Sequence, residues 1–412
     1  MDNLSHTIAG FIAAHATSVG LSSRKSAAEK RLRPTLWLAS AVANNLPDLD
    51  FALAPLTTGK LGYLLHHRGH THTFLGALPQ SLVLFFLFWM IYKRKHPEHE
   101  RGDWKALLFI VVLGPFLHIT MDFWNSYGVH PFWPFDNRWF YGDSVFIVEP
   151  WLWISLTPVL FFAAKSRGGK LFFAGVWLIA VLLYFFTGFV PWQNALVLTS
   201  LGLWLFGLMS KLQPRTRLIA GLSAAIAWIA LSFAGSRMAK TQINALLKNI
   251  APQTQVLDLV LSPYPSNPLC WSLFTVEKAQ DNYITRRAVY APLPKFMGAA
   301  ECPPNRSTET TVPLRPSSLP NRPHVVWSGE FKGGIAELAN LSQSNCQARA
   351  FLRFARVIAW DASGPGYVVL SDLRFDRGKE LGFSEMGIDL SEKTCPKNLP
   401  PWVGALMRRF SL

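Results

Sequence analysis

The sequence predicts an all-α polytopic membrane domain followed by a C-terminal extracytoplasmic β-rich (α+β) domain. Three observations predict it. The 412 residues are 50% hydrophobic and only 16% charged, with a mean hydropathy of +0.20, more apolar than an average soluble chain. Every apolar run long enough to span a bilayer lies in the first ~236 residues. Short β-prone runs and all four cysteines lie after residue 240. The expected division is 1–150, a helical membrane domain rich in histidine and carboxylate; 151–236, additional transmembrane helices; and 237–412, a soluble extracytoplasmic domain.

Taken in order, two amphipathic segments come first, Thr7 to Leu21 and Leu36 to Leu46, either tilted spans or helices dipping into one leaflet. Between them SSRKSAAEKRLRP carries five basic residues and one acid. Clear spans follow at Phe74 to Tyr92, Ala106 to Met121, Val145 to Ala164, Leu171 to Val190, Asn194 to Ser210 and Leu218 to Gly235. Most approach the ~20 residues that a helix needs to cross a bilayer.

The formal net charge of +15 could suit a nucleic-acid partner. Much of the excess, however, sits in short loops between apolar runs, where lysine and arginine set membrane orientation. No nucleic-acid partner is therefore expected; membrane lipid is. No cleavable signal peptide is evident, because MDNLSHTIAG lacks a basic start and an apolar core. With the basic loops 22–34, 93–105, 165–170 and 211–217 in the cytoplasm, the links 47–73, 122–144 and 191–193 face outward. The chain after Arg237 then lies outside as well. The expected location is the inner membrane, crossed several times.

In the tail, YITRRAVYA, HVVWSGEF and GYVVLSDLRF read as strands. Residues 303–323 form a polar, proline-rich loop. Cys270, Cys302, Cys346 and Cys395 permit three pairings, and an outside location favours at least one disulfide. Their spacing does not suggest a zinc ribbon, and the tail shows no catalytic pattern.

The chemistry concentrates at the edges of the N-terminal apolar runs, in LPDLD (46–50), HHRGHTHT (66–73) and HITMD (118–122). Ionisable groups beside a bilayer are costly without partners, and a metal ion suits both imidazole and carboxylate. His118 and Asp122, four apart, share one helix face. Asp48 and Asp50 could serve as ligands or as turn and cap residues. Four histidines fall within seven residues, 66–72; His67 and His72 are favoured as ligands, since all four cannot share one ion. His6 is either a further ligand or an interfacial histidine. Arg68 suits an anionic substrate oxygen, or is a headgroup-level charge. Gly69 suits a sharp turn. Glu149 is a candidate for contact with the site. Orientation rests on lysine and arginine alone, yet it puts every one of these clusters on the outer side. That agreement supports one shared site.

SHTIAG, NNLPDLD, HHRGHTHT, GPFLHITMDFWNSYGVHPFWPFDNRW and GDSVFIVEP, in this order, resemble the YdjM-like family of membrane-bound, metal-dependent hydrolases. The strings cover roughly the first 150 residues. The resemblance implies a helical metal-binding domain, and a distant likeness to phospholipase C and nuclease folds that break phosphoesters on metal ions. It implies the ligands His6, Asp48, Asp50, His67, His72, His118 and Asp122. In the tail, SPYPSNPLCW and VVLSDLRF resemble segments of longer members. His70 and Glu149 depart from the family pattern.

The leading expectation is a membrane-bound hydrolase acting on a phosphoester of a lipid or lipid-linked substrate. Two or more divalent ions, with zinc expected, would activate water; Asp48 or Asp50 would hold or deprotonate it, and Arg68 would stabilise developing charge. A metal-handling transporter is one alternative, disfavoured because 171–190, 194–210 and 218–235 carry no ionisable groups. An anchor for a partner-binding tail is another.

Overall fold

A computed structural model describes residues 1–21, 26–303, 310–392 and 394–410. Part of the basic loop 22–34 and part of the proline-rich loop 303–323 lie outside the described residues.

The N-terminal half is helical: α1 (Asn3–Leu21), α2 (Ser26–Asn45), a 3-10 segment (Leu46–Leu56), α3 (Lys60–His66), a 3-10 turn (His70–His72), α4 (Phe74–Lys95) and α5 (Arg101–Phe123). Then come α6 (Pro150–Ala163), α7 (Arg167–Phe186), α8 (Trp192–Lys211) and α9 (Pro214–Ile250). Helices α4, α5, α7, α8 and α9 are long and apolar enough to cross a membrane; the protein is a multi-pass membrane protein. The span expected at 145–164 is shorter. It begins at Pro150 with Glu149 as its cap, because residues 124–149 fold as a loop closed by a Val129–Phe140 bridge. Helix α6 is buried along most of its length and packs against α1, α7 and α9.

Small residues let the first helices approach closely. A Cβ on Gly10 would lie 2.8 Å from the Ser40 carbonyl oxygen, and one on Gly114 would lie 2.4 Å from the Ala43 Cβ. These two contacts clamp α2 between α1 and α5. The expected cytoplasmic loops gather at one end of the bundle. Arg31 reaches Tyr92 and Asp103, Arg33 reaches the Ala163 carbonyl, and the Arg217 guanidinium sits 4.5 Å over Phe162. The histidine and carboxylate strings gather at the opposite end.

Helix α9 runs past the boundary expected at residue 236. Its last turns pack Ile243 and Leu247 against Leu259, Leu261 and Trp271. The tail then forms an antiparallel four-stranded sheet: β1 (Gln255–Tyr264), β2 (Asn267–Ala279), β3 (Asn282–Tyr290) and β4 (Val325–Gly334), in that spatial order. After α10 (Ile335–Ser344) and α11 (Cys346–Leu352), a second antiparallel sheet holds β5 (Ile358–Gly364), β6 (Tyr367–Asp372) and β7 (Glu385–Asp389), followed by α12 (Ala405–Phe410). Strand side chains alternate between faces. Leu259 and Leu261 therefore face α9, while Val260 joins Phe274, Phe351 and Trp360 in the second core. Two disulfides close the tail, Cys270–Cys302 and Cys346–Cys395, one of the three pairings that the sequence allows.

The tail is docked on the site end of the bundle by buried polar contacts. Arg356 bonds Asp143 through both terminal nitrogens, at 2.8 and 2.9 Å, and reaches Asp258 at 2.8 Å. Lys240 adds a 2.7 Å bond to Asp143. Trp402 donates to the Leu65 carbonyl at 2.7 Å, and Arg374 to that of Ser126 at 2.7 Å. Glu149, expected near the site, instead caps α6 and accepts hydrogen bonds from the backbone and hydroxyl of Ser266.

Removing one partner of a buried ion pair leaves the other charged and desolvated. Arg356→Ala should therefore destabilise the protein by about 3–5 kcal/mol. A thermal melt of detergent-solubilised protein checks this; a midpoint equal to wild type would contradict it.

Candidate metal centre

The 3-10 segment begins at Leu46 directly after α2, with Pro47 in its first turn. That segment inverts the usual polarity. Leu49 and Phe51 are 65% and 51% exposed, whereas Asp48 and Asp50 are buried. Apolar side chains outward suit a membrane interface. Buried carboxylates require a positive partner.

Four side chains converge: Asp48, His72, His118 and Asp122 each offer a ligand atom, and these atoms all lie within 4.8 Å of one another. The Nε2 atoms of His72 and His118 face each other at 3.1 Å. Asp48 Oδ1 lies 3.4 and 3.5 Å from them, and Asp122 Oδ2 lies 3.3 and 3.4 Å from them. Asp122 Oδ2 is buried and also faces the Arg68 Nε at 3.0 Å.

Each imidazole is held from behind. His118 Nδ1 donates to the Asn44 carbonyl at 2.6 Å, a contact that the Gly114–Ala43 crossing permits. His72 Nδ1 meets Asp50 Oδ2 at 3.1 Å. A bond at Nδ1 to a carbonyl or carboxylate turns Nε2 toward a metal and fixes the tautomer. Thr73 caps α4 by accepting from the Gly76 amide at 2.8 Å, which anchors His72 at the helix start.

The other expected ligands stand against this group as partners of its members. Asp50 bonds through both oxygens: Oδ1 to His67 Nδ1 at 3.1 Å, and Oδ2 to His72 and to the Arg68 amide at 2.7 Å. His6 stacks on His118 with centroids 3.7 Å apart, and its Nε2 is 3.2 Å from Asp122 Oδ1. His67 packs against the rings of Phe51 and Tyr63, which also contact each other. Arg68, in the left-handed region at φ 57°, reaches both Asp122 oxygens at 3.0 Å and Asn125 Oδ1 at 3.0 Å. Its guanidinium balances Asp122 first of all. The left-handed residue of the turn is thus Arg68 rather than Gly69. Gly69 is needed for a close approach, since its Cβ would lie 2.6 Å from the His66 carbonyl oxygen.

Two histidines of the 66–72 string point elsewhere. His66 bonds Thr57 at 3.0 Å, and His70 packs on Trp133 and Trp402. His130, which no spacing marks, stacks on Trp402 at 3.8 Å and bonds the Arg68 carbonyl at 3.1 Å. It braces the loop from behind.

Burial opposes ionisation of Asp48, but hydrogen bonds from His118 and His72 outweigh it and hold the carboxyl well below its usual range. Asp50 behaves alike through His67 and His72. Burial also opposes a charged His72, yet Asp122, Asp48 and Asp50 raise it to about 10. Burial lowers His67 despite its bond to Asp50. Three carboxylates meet here with one guanidinium, Arg68, and the α-amino group of Met1 among the described residues. Two imidazoles and two carboxylates converging within 4.8 Å of one another are a donor set that fits a divalent cation.

Residues 1–195 match the profile of a family described as YdjM inner membrane protein, the family that the motifs lead one to expect. The chain is 24% identical over 135 residues to the uncharacterized protein YfhP of Bacillus subtilis (strain 168), covering 32% of this chain and 38% of that protein. It thus spans well under half the length of this curated relative. No solved structure matches the chain.

His72→Ala should abolish metal binding. Asp50→Asn, which leaves all four converging side chains in place, should weaken it by about 10–100-fold. Elemental analysis and competition with a chelating dye separate the two. A cation must displace the proton that His72 holds up to about pH 10, so binding should release protons and weaken as pH falls. Titration in dilute buffer measures that release; pH-independent affinity would contradict it.

Proposed function

We propose that the YdjM-type half carries a metal-dependent hydrolase that cleaves a phosphoester of a lipid or lipid-linked substrate at the outer face of the membrane. The observation that carries this reading is a pairing. A four-donor group that fits a metal lies beside an Asp50–His67 dyad, and His67 and Arg68 border a cavity of about 670 Å³ under the tail.

Zinc bound by Asp48, His72, His118 and Asp122 would activate a water and polarise a phosphoryl oxygen. His67 donates Nδ1–H to Asp50, so its second nitrogen is the basic one and is the atom to take the proton. Asp50 positions both His67 and His72. Arg68 balances Asp122 and adds positive potential to the cavity wall. One ion fits the group; a second would have to recruit His6 or the His67–Asp50 pair, and metal stoichiometry decides between them. A transport role is less favoured, because the group lies at the end of α5 rather than in the middle of the spans.

Two disulfides suit an oxidising compartment, and the basic loops at the far end suit the cytoplasm. Both support an extracytoplasmic tail. Protease added to intact spheroplasts should cut the tail; protection of the tail would reverse the orientation.

Purified protein assayed on phospholipids and lipid-linked phosphates should lose turnover on chelation. His67→Gln should lower kcat about 10²–10⁴-fold with metal content unchanged. Turnover indifferent to chelator would end this reading.

A further inference from the structure

The tail covers the loop that carries His67 and Arg68 and forms most of the cavity wall. One face of the first sheet lines it. Val260, Phe274 and Arg287 are opposite one another across β1, β2 and β3, and Ser262 and Ser272 form the next row. The segment after β6 adds Arg374, Phe375, Asp376 and Arg377. The tail strings SPYPSNPLCW and VVLSDLRF, which metal chemistry leaves unexplained, both border this space through Ser262 to Tyr264 and Leu373 to Phe375.

The wall differs along its extent. His67, Arg68 and Tyr127 border the metal group, with the Arg68 guanidinium 4.7 Å over the Tyr127 ring. Phe146, Ile147 and Phe189 belong to the bundle, just before α6 and just after α7. The cavity therefore joins a cationic region to apolar side chains at the ends of membrane helices.

Its charge is one-sided. Four arginines line it, Arg68, Arg287, Arg374 and Arg377, against one carboxylate, Asp376. Arg68 serves Asp122 and Arg374 serves Asp372. Asp376 already accepts from the Thr311 amide and the Ser371 hydroxyl. Burial is the first cost to the charge of Arg287 and the nearby Arg377 adds to it, while Asp376 favours it. The cavity, with four arginines against one carboxylate, suits an anion beside Arg287 and Arg377, since guanidinium matches phosphate oxygens.

We propose that this cavity is a binding site for a single amphiphile whose headgroup carries a second anionic group beyond the phosphoryl at the metal, such as a chain-linked diphosphate. Arg287 and Arg377 hold that second group, and Phe146, Ile147 and Phe189 take the start of the chain. The tail is then the specificity element of the enzyme. This assignment deepens the hydrolase reading and relies on it only for the phosphoryl end.

Farnesyl diphosphate, farnesyl monophosphate, inorganic pyrophosphate and a zwitterionic alkylphosphocholine are the probes, each titrated against full-length protein in maltoside micelles. Farnesyl diphosphate should bind at least about tenfold tighter than any of the other three. Arg377→Gln, an exposed change, should remove most of that preference, and Arg377→Glu all of it. Arg287→Lys keeps the buried charge but loses the fork, and should weaken the diphosphate alone. Equal binding of the phosphocholine, equal binding of free pyrophosphate, or a diphosphate preference that survives Arg377→Glu in folded protein would overturn the assignment. Repeating the titrations with and without chelator separates the two readings. A chelator-resistant, Arg377-dependent preference upholds this site even if hydrolysis is never found. Chelator-sensitive hydrolysis with no dependence on Arg377 removes this site alone.

Discussion

Burial of Asp48, Asp50 and Asp122 at the end of a membrane bundle is the constraint on which the rest of this structure depends. A desolvated carboxylate is tolerated only with a positive partner or a set of donors. Each of these three carboxylates meets that demand differently. Asp122 is shared by Arg68, His6 and the converging imidazoles. Asp50 bonds through both oxygens to His67, His72 and the Arg68 amide. Asp48 faces His72 and His118. Much of the surrounding architecture serves these contacts. The glycine crossings bring α1, α2 and α5 close enough for His118 to reach Asn44, and the left-handed Arg68 turns the 66–72 loop back over Asp50.

The tail answers a second constraint. An open cluster of imidazole and carboxylate at a bilayer edge would be exposed to water and headgroups alike. Trp402 and Arg374 hold the loops around the cluster from the tail side, and His130, stacked on Trp402, holds the Arg68 carbonyl from within the bundle half. The Asp143–Arg356–Asp258 network joins the two halves in a region with little water to compete. The same docking creates the enclosed space in which polar contacts gain strength. The cavity beside the four-donor group is thus a product of this interface.

Legibility followed the range of the interactions. His118 and Asp122 declared themselves because a four-residue step on a helix is a local rule. The long spans and the β-prone runs that became β3, β4 and β6 also read correctly; of the two histidines favoured in the 66–72 string, His72 joins the four-donor group and His67 stands beside it on Asp50. Strands β1 and β2 escaped, since their apolar residues serve two cores at once. Glu149 misled: a carboxylate next to an apolar helix reads as functional, but its partner, Ser266, lies 117 residues away. His130 carried no spacing at all and took its meaning from Trp402.

By itself the sequence determined which segments are apolar enough for a membrane, which end of the bundle collects charge, and which residue types could meet a cation. Those properties are local or additive, so composition and periodicity carry them. The tertiary structure alone decided that Asp50 orients rather than joins the four-donor group, that Arg68 answers Asp122, and that Arg287 stands in the same cavity as His67. Such choices depend on distances between residues far apart in the chain, and no one-dimensional pattern records where two independently folded surfaces come to rest against each other.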